Sequence, residues 1–130
     1  WTGRLAGDQG RRQQMPKCTP KADARLTERG VACHHGHAMG DYSVALNMSP
    51  RLTAIRAANG ATDPIRAYIT IVGPKSPAPE GIYITATGMI DSEHGHYCRY
   101  DTSKGDYAAV TYAIAVIRKL NAEWLARDAA

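Results

Sequence analysis

Three apolar segments between residues 65 and 100, joined by links too short to hold a helix, constrain the fold of this chain most strongly. "IRAYITIVG" (65–73) is rich in β-branched residues and almost continuously apolar, which predicts a central strand. "IYITATGMI" (82–90) alternates apolar and polar positions as a half-buried strand does, and "HGHYCRY" (94–100) returns after a short turn. The loop "PKSPAPEG" ends the first strand, because proline is excluded from strand interiors. Links this short join antiparallel neighbours, so the segments predict a meander.

A fourth strand and a long C-terminal helix extend this prediction to an α+β sandwich. "DYSVALNM" (41–48) alternates with a period of two and predicts another half-buried strand. Asp106 caps a long helix over residues 107–127, whose apolar residues fall on one stripe. We expect this helix to lie across one face of the sheet, packed on three isoleucines of the second meander strand, Ile82, Ile84 and Ile90.

Two short helices are predicted from the residues at their ends. In "TPKADARLTERG" and in "SPRLTAIRAANG", a Thr or Ser cap precedes a proline at the first helical position. A glycine ends each helix, Gly30 in the first and Gly60 in the second. Together the elements predict a single α+β domain over residues 18–130, with these two short helices beside the sheet.

The net charge of +4 is concentrated at the start of the chain. Residues 1–29 hold seven Lys and Arg against three acidic residues, whereas residues 30–130 hold nine of each. We expect residues 1–17 to form a basic arm or irregular segment, either a solvated tail or one that approaches phosphate and other anionic surfaces. The apolar stretches are too short to cross a bilayer, so no transmembrane helix is predicted.

All five histidines lie in two short segments, and each segment contains a cysteine. Alternation along the strand 94–100 places four side chains on one face: His94, His96, Cys98 and Tyr100. We expect this row to face away from the long helix, because it matches an apolar core poorly. The segment 30–42, which carries His34, His35 and His37, is then expected to cover the row and to form one site with it.

The cysteines offer a way of joining the two histidine clusters. A Cys33–Cys98 disulfide would close a loop of about 66 residues and stabilise the fold by roughly 4 kcal/mol. Cys18–Cys33 is the alternative pairing, and three reduced thiols also stay possible. A disulfide predicts a secreted or periplasmic protein. The start at Trp1 rather than Met agrees with a processed product or an excised domain.

A metal site is the first chemistry that the clusters predict. Two imidazoles from each cluster, with Asp41 or a cysteine beside them, would give a tetrahedral zinc site. Its candidate ligands are His34, His37, His94 and His96. The alternative is that these histidines are hydrogen-bonded surface residues without a ligand.

Metal-free cleavage of a phosphodiester is the second chemistry, and it gives the preferred functional hypothesis: a small histidine-centred nuclease, RNase-like or a toxin-type hydrolase. A neutral and a protonated imidazole can act as general base and acid, and the candidates are again His94, His96, His34 and His37. Arg99 and Lys104 would hold the phosphate, while Tyr97 and Tyr100 would stack on bases. Nucleic acid is then the expected partner, with a protein partner or inhibitor as the other class.

Two further hypotheses remain open. Cys33, a strand histidine and Asp101 follow the order of a cysteine hydrolase, although residues 34–40 are a poor helix behind such a nucleophile. The non-enzymatic alternative is a disulfide-bonded extracytoplasmic binding or assembly subunit, such as a surface-structure or adhesion component.

Overall fold

The computed structural model describes residues 20–34, 40–86 and 95–129 of this 130-residue chain. In this part of the chain, five strands form one antiparallel sheet in the order in which they occur, and three helices accompany it. The strands are β1 (Ala32–Cys33), β2 (Tyr42–Ala45), β3 (Arg66–Val72), β4 (Gly81–Thr85) and β5 (His96–Arg99). The helices are α1 (Pro20–Glu28), α2 (Pro50–Ala58) and α3 (Asp106–Ala129). The predicted α+β fold is confirmed.

The predicted meander forms β3, β4 and β5. Ile69 lies opposite Ile84 and Ile71 lies opposite Ile82, so the apolar positions of β3 and β4 share one face. Two predicted strands continue into residues outside the described part of the chain, 82–90 beyond Ala86 and 94–100 before Gly95. Within 20–34, 40–86 and 95–129, none of the helices is both long and apolar enough to span a bilayer.

The hydrophobic core lies between the sheet and α3. Helix α3 contacts β3 and β4, and the side chains that meet there are at most 5% exposed. They are Ile69, Ile71, Ile82 and Ile84 from the sheet and Val110, Ile114 and Ile117 from the helix. Burying each such side chain contributes about 1.5–3 kcal/mol. The expected packing on Ile82 and Ile84 is confirmed, and Ile90 lies outside the described residues.

The short helices end where their glycines predict. Gly30 has a φ of +85° and Gly60 a φ of +82°, a conformation that costs glycine little. After α1 the Val31 N–H donates to the Leu26 carbonyl over 3.0 Å. After α2 an equivalent bond of 2.8 Å joins the residue that follows Gly60 to the last turn. Both ends are therefore Schellman motifs, which satisfy carbonyls that the helix leaves without a partner.

Polar contacts join α3 at two points to β2 and the residues that follow it. At the start of α3, the buried Tyr42 hydroxyl donates to Asp106 Oδ2 over 2.7 Å. About two turns before its end, Asn121 Oδ1 accepts from the Asn47 N–H over 2.9 Å, and Asn121 Nδ2 donates to the Asn47 carbonyl over 3.0 Å. These contacts hold α3 on one face and leave the side chains of the other sheet face outside the helical layer.

Candidate functional site

The described histidines of the two clusters lie at opposite edges of the sheet. His34 follows β1 and His96 opens β5, so four strand spacings, about 19 Å, separate their strands. The expectation that both clusters form one site is therefore wrong for His34 and His96. Each strand pairs with its neighbour in sequence, which places the first and last strands as far apart as the sheet allows. His35, His37 and His94 lie outside the described residues.

The same separation rules out the Cys33–Cys98 disulfide. Cys33 lies opposite Tyr42 on one side of the sheet and Cys98 lies opposite Ile82 on the other. A disulfide requires Cα atoms within about 7 Å, far less than the distance between β1 and β5. Cys98 is a free thiol that is 8% exposed, and burial raises its pKa. The alternative Cys18 pairing involves a residue outside the described part of the chain.

The predicted orientation of the histidine row on β5 is also wrong. His96 lies opposite Ile84 and Cys98 opposite Ile82, so this row faces α3 and the core. Tyr100, just beyond the strand, also packs against the core. The physical reason is that Cys98 behaves as a small apolar side chain, while the charged group of its neighbour Arg99 must stay in water.

The opposite face of the sheet carries a diagonal row of tyrosines with an arginine at each end. We call this surface the tyrosine face, and its residues are Arg66, Tyr68, Tyr83, Tyr97 and Arg99. Tyr83 lies directly opposite Tyr97, and Tyr68 lies one diagonal step away on β3. From strand spacing and rise, the row measures about 20 Å from arginine to arginine. Among strand residues on this face, within the described part of the chain, none is Asp or Glu.

Two of the tyrosine rings are held by their hydroxyl groups. Tyr97 donates to the Glu80 carbonyl over 2.5 Å and Tyr83 donates to the Pro79 carbonyl over 2.8 Å. Their ring centroids are 4.9 Å apart, and both burial and the neighbouring Tyr97 raise the pKa of Tyr83. The Tyr97 ring lies over Gly81, yet Tyr97 remains 43% exposed. The rings are thus oriented before any ligand arrives.

At the other end of the row, Ser43 orients Arg66. Arg66 Nε donates to Ser43 Oγ over 2.7 Å, and its Nη2 donates to the Ser43 carbonyl over 3.2 Å. His34 Nε2 lies 2.7 Å from the same Oγ, and the His34 ring lies 5.8 Å from that of Tyr68. Because Ser43 is fully buried, it is not accessible as a nucleophile despite its histidine neighbour.

The predicted substrate-binding residues meet at the other end, beside β5. Tyr97, Arg99 and Tyr100 line a groove of about 660 Å³ together with Pro79, Glu80 and Asp101. We call this the β5 groove. The fourth predicted residue, Lys104, places its Nζ 5.4 Å from the Tyr100 ring centroid. The structure therefore brings these four residues together, although the predicted catalytic histidines His34 and His96 do not meet.

Sequence reasoning missed Tyr68, Tyr83, Arg66 and Glu80. Alternation along 82–90 already places Tyr83 on the face away from the isoleucines of that strand. The same rule places Tyr97 on the face of its strand that Cys98 does not occupy. These two tyrosines could therefore have been grouped. Tyr68 lies in a nearly continuous apolar strand, whose sequence has no alternation from which its face of the sheet could be predicted.

The predicted zinc site is not assembled by the histidines that the structure describes. Within 20–34, 40–86 and 95–129, no three His, Cys, Asp or Glu side chains are grouped as metal ligands. Two of the four expected ligands, His37 and His94, lie outside those ranges.

Comparison of the chain with protein-family models, with curated proteins and with solved structures gave no match in any of the three. A function must therefore be inferred from the chemistry of the tyrosine face and the β5 groove.

Proposed function

We propose that the tyrosine face binds single-stranded nucleic acid. The observation that carries the proposal is the diagonal row of three tyrosines with an arginine at each end. Stacking of a base on an aromatic ring contributes about 1–3 kcal/mol and tolerates any sequence. Arginine suits phosphate, because its guanidinium donates two parallel hydrogen bonds. Three rings on a sheet match the two or three bases that such surfaces stack.

The orientation of these side chains supports the proposal. The hydroxyl bonds of Tyr83 and Tyr97 restrict their rings, and the two bonds to Ser43 restrict Arg66. Side chains that are ordered beforehand lose less conformational entropy when a ligand binds. The net charge of +4 also favours association with a polyanion.

Cleavage of the bound strand is a second proposal, favoured by the position of His34. Its ring lies on the tyrosine face beside Tyr68, where it would be close to a bound strand. General acid–base cleavage requires a second proton-transfer group, for which His35 and His37 are the nearest candidates in sequence. Without cleavage, the chain is a binding subunit, which is the non-enzymatic alternative that the sequence left open.

The test is the affinity of the protein for a fluorescent RNA oligonucleotide of about ten nucleotides, measured by anisotropy. Tyr83→Leu and Tyr97→Leu keep an apolar side chain and remove the stacking surface, so each should weaken binding about tenfold. Tyr107→Leu is the matched control, because Tyr107 lies on α3 and its ring packs on Arg25 of α1, 3.9 Å from the ring centroid. This control should bind like the wild type.

The proposal is wrong if the wild type does not bind the oligonucleotide, or if both tyrosine-face variants bind as tightly as Tyr107→Leu. Circular dichroism of each variant excludes unfolding as the cause of lost binding. Denaturing gels of the same samples test the second proposal. Cleavage products that disappear in His34→Ala, with binding retained, would support it, and intact RNA in the wild type would exclude it.

A further inference from the structure

The β5 groove continues the tyrosine face at its Arg99 end. Tyr97 and Arg99 belong to both surfaces, so a strand lying along the row reaches the groove without leaving the protein. The volume of about 660 Å³ is in the range of single small-molecule sites, roughly 300–1,000 Å³. The groove therefore has room for one nucleotide at the end of the row.

The groove combines cations and carboxylates that, among the described residues, are not joined in salt bridges, although Lys104 is close enough to help lower the pKa of Asp101. The residues that line it include Arg99 and the carboxylates Glu80 and Asp101. Lys104 lies beside it, near the Tyr100 ring. In the described part of the chain, neither carboxylate forms an ion pair with either cation. Arg99 is thus available to a phosphate, whereas the carboxylates repel phosphate and accept hydrogen bonds from hydroxyl groups. A ligand that binds both the arginine and the carboxylates must carry a phosphate together with a hydroxyl group that donates a hydrogen bond.

Each carboxylate is fixed through one of its two oxygens. Glu80 Oε2 accepts from the Thr102 N–H over 3.0 Å and from the Thr102 hydroxyl over 2.7 Å. Asp101 Oδ1 accepts from the Ser103 N–H over 3.0 Å and from its hydroxyl over 2.6 Å. Within the described ranges the second oxygen of each carboxylate has no hydrogen-bond partner. The Ser103 bonds also lower the pKa of Asp101, which keeps this carboxylate ionised at neutral pH.

We infer that the β5 groove selects RNA over DNA, with one of its two carboxylates, Glu80 or Asp101, accepting the hydrogen bond of a ribose 2′-hydroxyl while Arg99 holds the adjacent phosphate. The inference rests on the proposed function, because it assigns a substrate class to the same surface. The 2′-hydroxyl is the group that distinguishes the two nucleic acids at any one site. A hydrogen bond to a charged acceptor is among the stronger ones, so the preference for RNA should be about tenfold.

The experiment measures anisotropy with three fluorescent oligonucleotides of one sequence: RNA, DNA and 2′-O-methyl RNA. The methyl group removes the donor and preserves the RNA-like sugar conformation, so it separates hydrogen bonding from sugar shape. The readout is the ratio of dissociation constants, which is insensitive to a general change in charge. The wild type should bind RNA about tenfold more tightly than either of the other two.

Glu80→Gln and Asp101→Asn preserve side-chain shape. The variant that replaces the accepting carboxylate should lower the preference for RNA towards one, with DNA affinity retained or increased. Glu123→Gln is the matched control: it makes the same change of charge at an exposed position on α3, and it should keep the wild-type ratio. If the wild type binds RNA and DNA with equal affinity, and Tyr97→Leu weakens binding to both, the inference is overturned and the proposed function stands. A ratio that survives both groove variants would also overturn it. Absence of binding to all three oligonucleotides would overturn both.

Discussion

Gly81 determines where the Tyr97 ring lies. A Cβ at this position would collide with the Cys98 carbonyl oxygen and would approach the Tyr97 ring to 2.8 Å. Without that atom, β4 and β5 approach closely and the ring covers the glycine, an arrangement that also protects the exposed backbone. The glycine is thus part of the tyrosine face, although it has no side chain to contribute.

Replacing Gly81 by alanine should lower the free energy of unfolding by about 2–3 kcal/mol, because the strands must separate to admit the methyl group. Urea denaturation measures the change. Gly73→Ala is the matched control in the same loop region, since a Cβ there meets no atom within 4 Å. The control should change stability by less than about 1 kcal/mol. Equal stability of the two variants would contradict the steric explanation.

At the scale of elements, the core-facing side of α3 carries one buried amide. Asn121 is 5% exposed and lies among the core positions of the helix, where it completes both backbone hydrogen bonds of Asn47. The amide therefore acts as a partner for the backbone just beyond the end of β2. The helical period alone predicts an apolar residue near this position, and only the contact with Asn47 explains an asparagine.

Asn121→Leu should destabilise the protein by about 2–3 kcal/mol even though leucine is the more hydrophobic residue. The substitution leaves a backbone N–H and a carbonyl without partners in a partly buried position. The urea midpoint measures the effect, and Glu123→Leu on the exposed side of α3 serves as the control. An Asn121→Leu protein as stable as this control would show that Asn47 finds water instead.

At the scale of the whole molecule, positive charge stands at both ends of the tyrosine row. Arg66 and Arg99 are separated by about 20 Å along the face, so a strand that crosses the rings can place one phosphate near each. Phosphate contacts release condensed counterions, which makes binding dependent on salt concentration.

Arg66→Gln and Arg99→Gln should each reduce the slope of log affinity against log salt by about 0.7, the value for one phosphate contact on a single strand. Anisotropy titrations at several salt concentrations give this slope. Arg118→Gln removes an exposed charge from α3 and should leave the slope unchanged. A decrease of the same size in all three variants would indicate that net charge, and not the tyrosine face, controls binding.

A secreted or periplasmic location is a proposal that does not depend on the tyrosine face. A secreted or periplasmic protein was expected because a disulfide would join the histidine clusters, and the structure excludes the favoured Cys33–Cys98 bond. The remaining pairing, Cys18–Cys33, closes a much shorter loop and constrains only the start of the domain.

The sequence by itself determined the three helices, four of the five strands and their order, but not the two-residue strand β1. Period-two alternation, the proline loop, and the glycines at 30 and 60 identified the meander and the ends of both short helices, because each depends on residues close together in the chain. Local patterns could also group Tyr97, Arg99 and Lys104, which are near neighbours in sequence.

Only the tertiary structure decided which residues share a surface. The faces of His96 and Cys98 depend on pairing with Ile84 and Ile82, and the separation of His34 from His96 depends on the order of all five strands. The tyrosine row likewise joins residues from three strands, through a register that no single segment contains. Alternation predicts that two side chains lie on the same face of a strand. Burial against α3 decides whether that face is the core face or the solvent face. This choice follows from the apolar area that the whole sheet can bury.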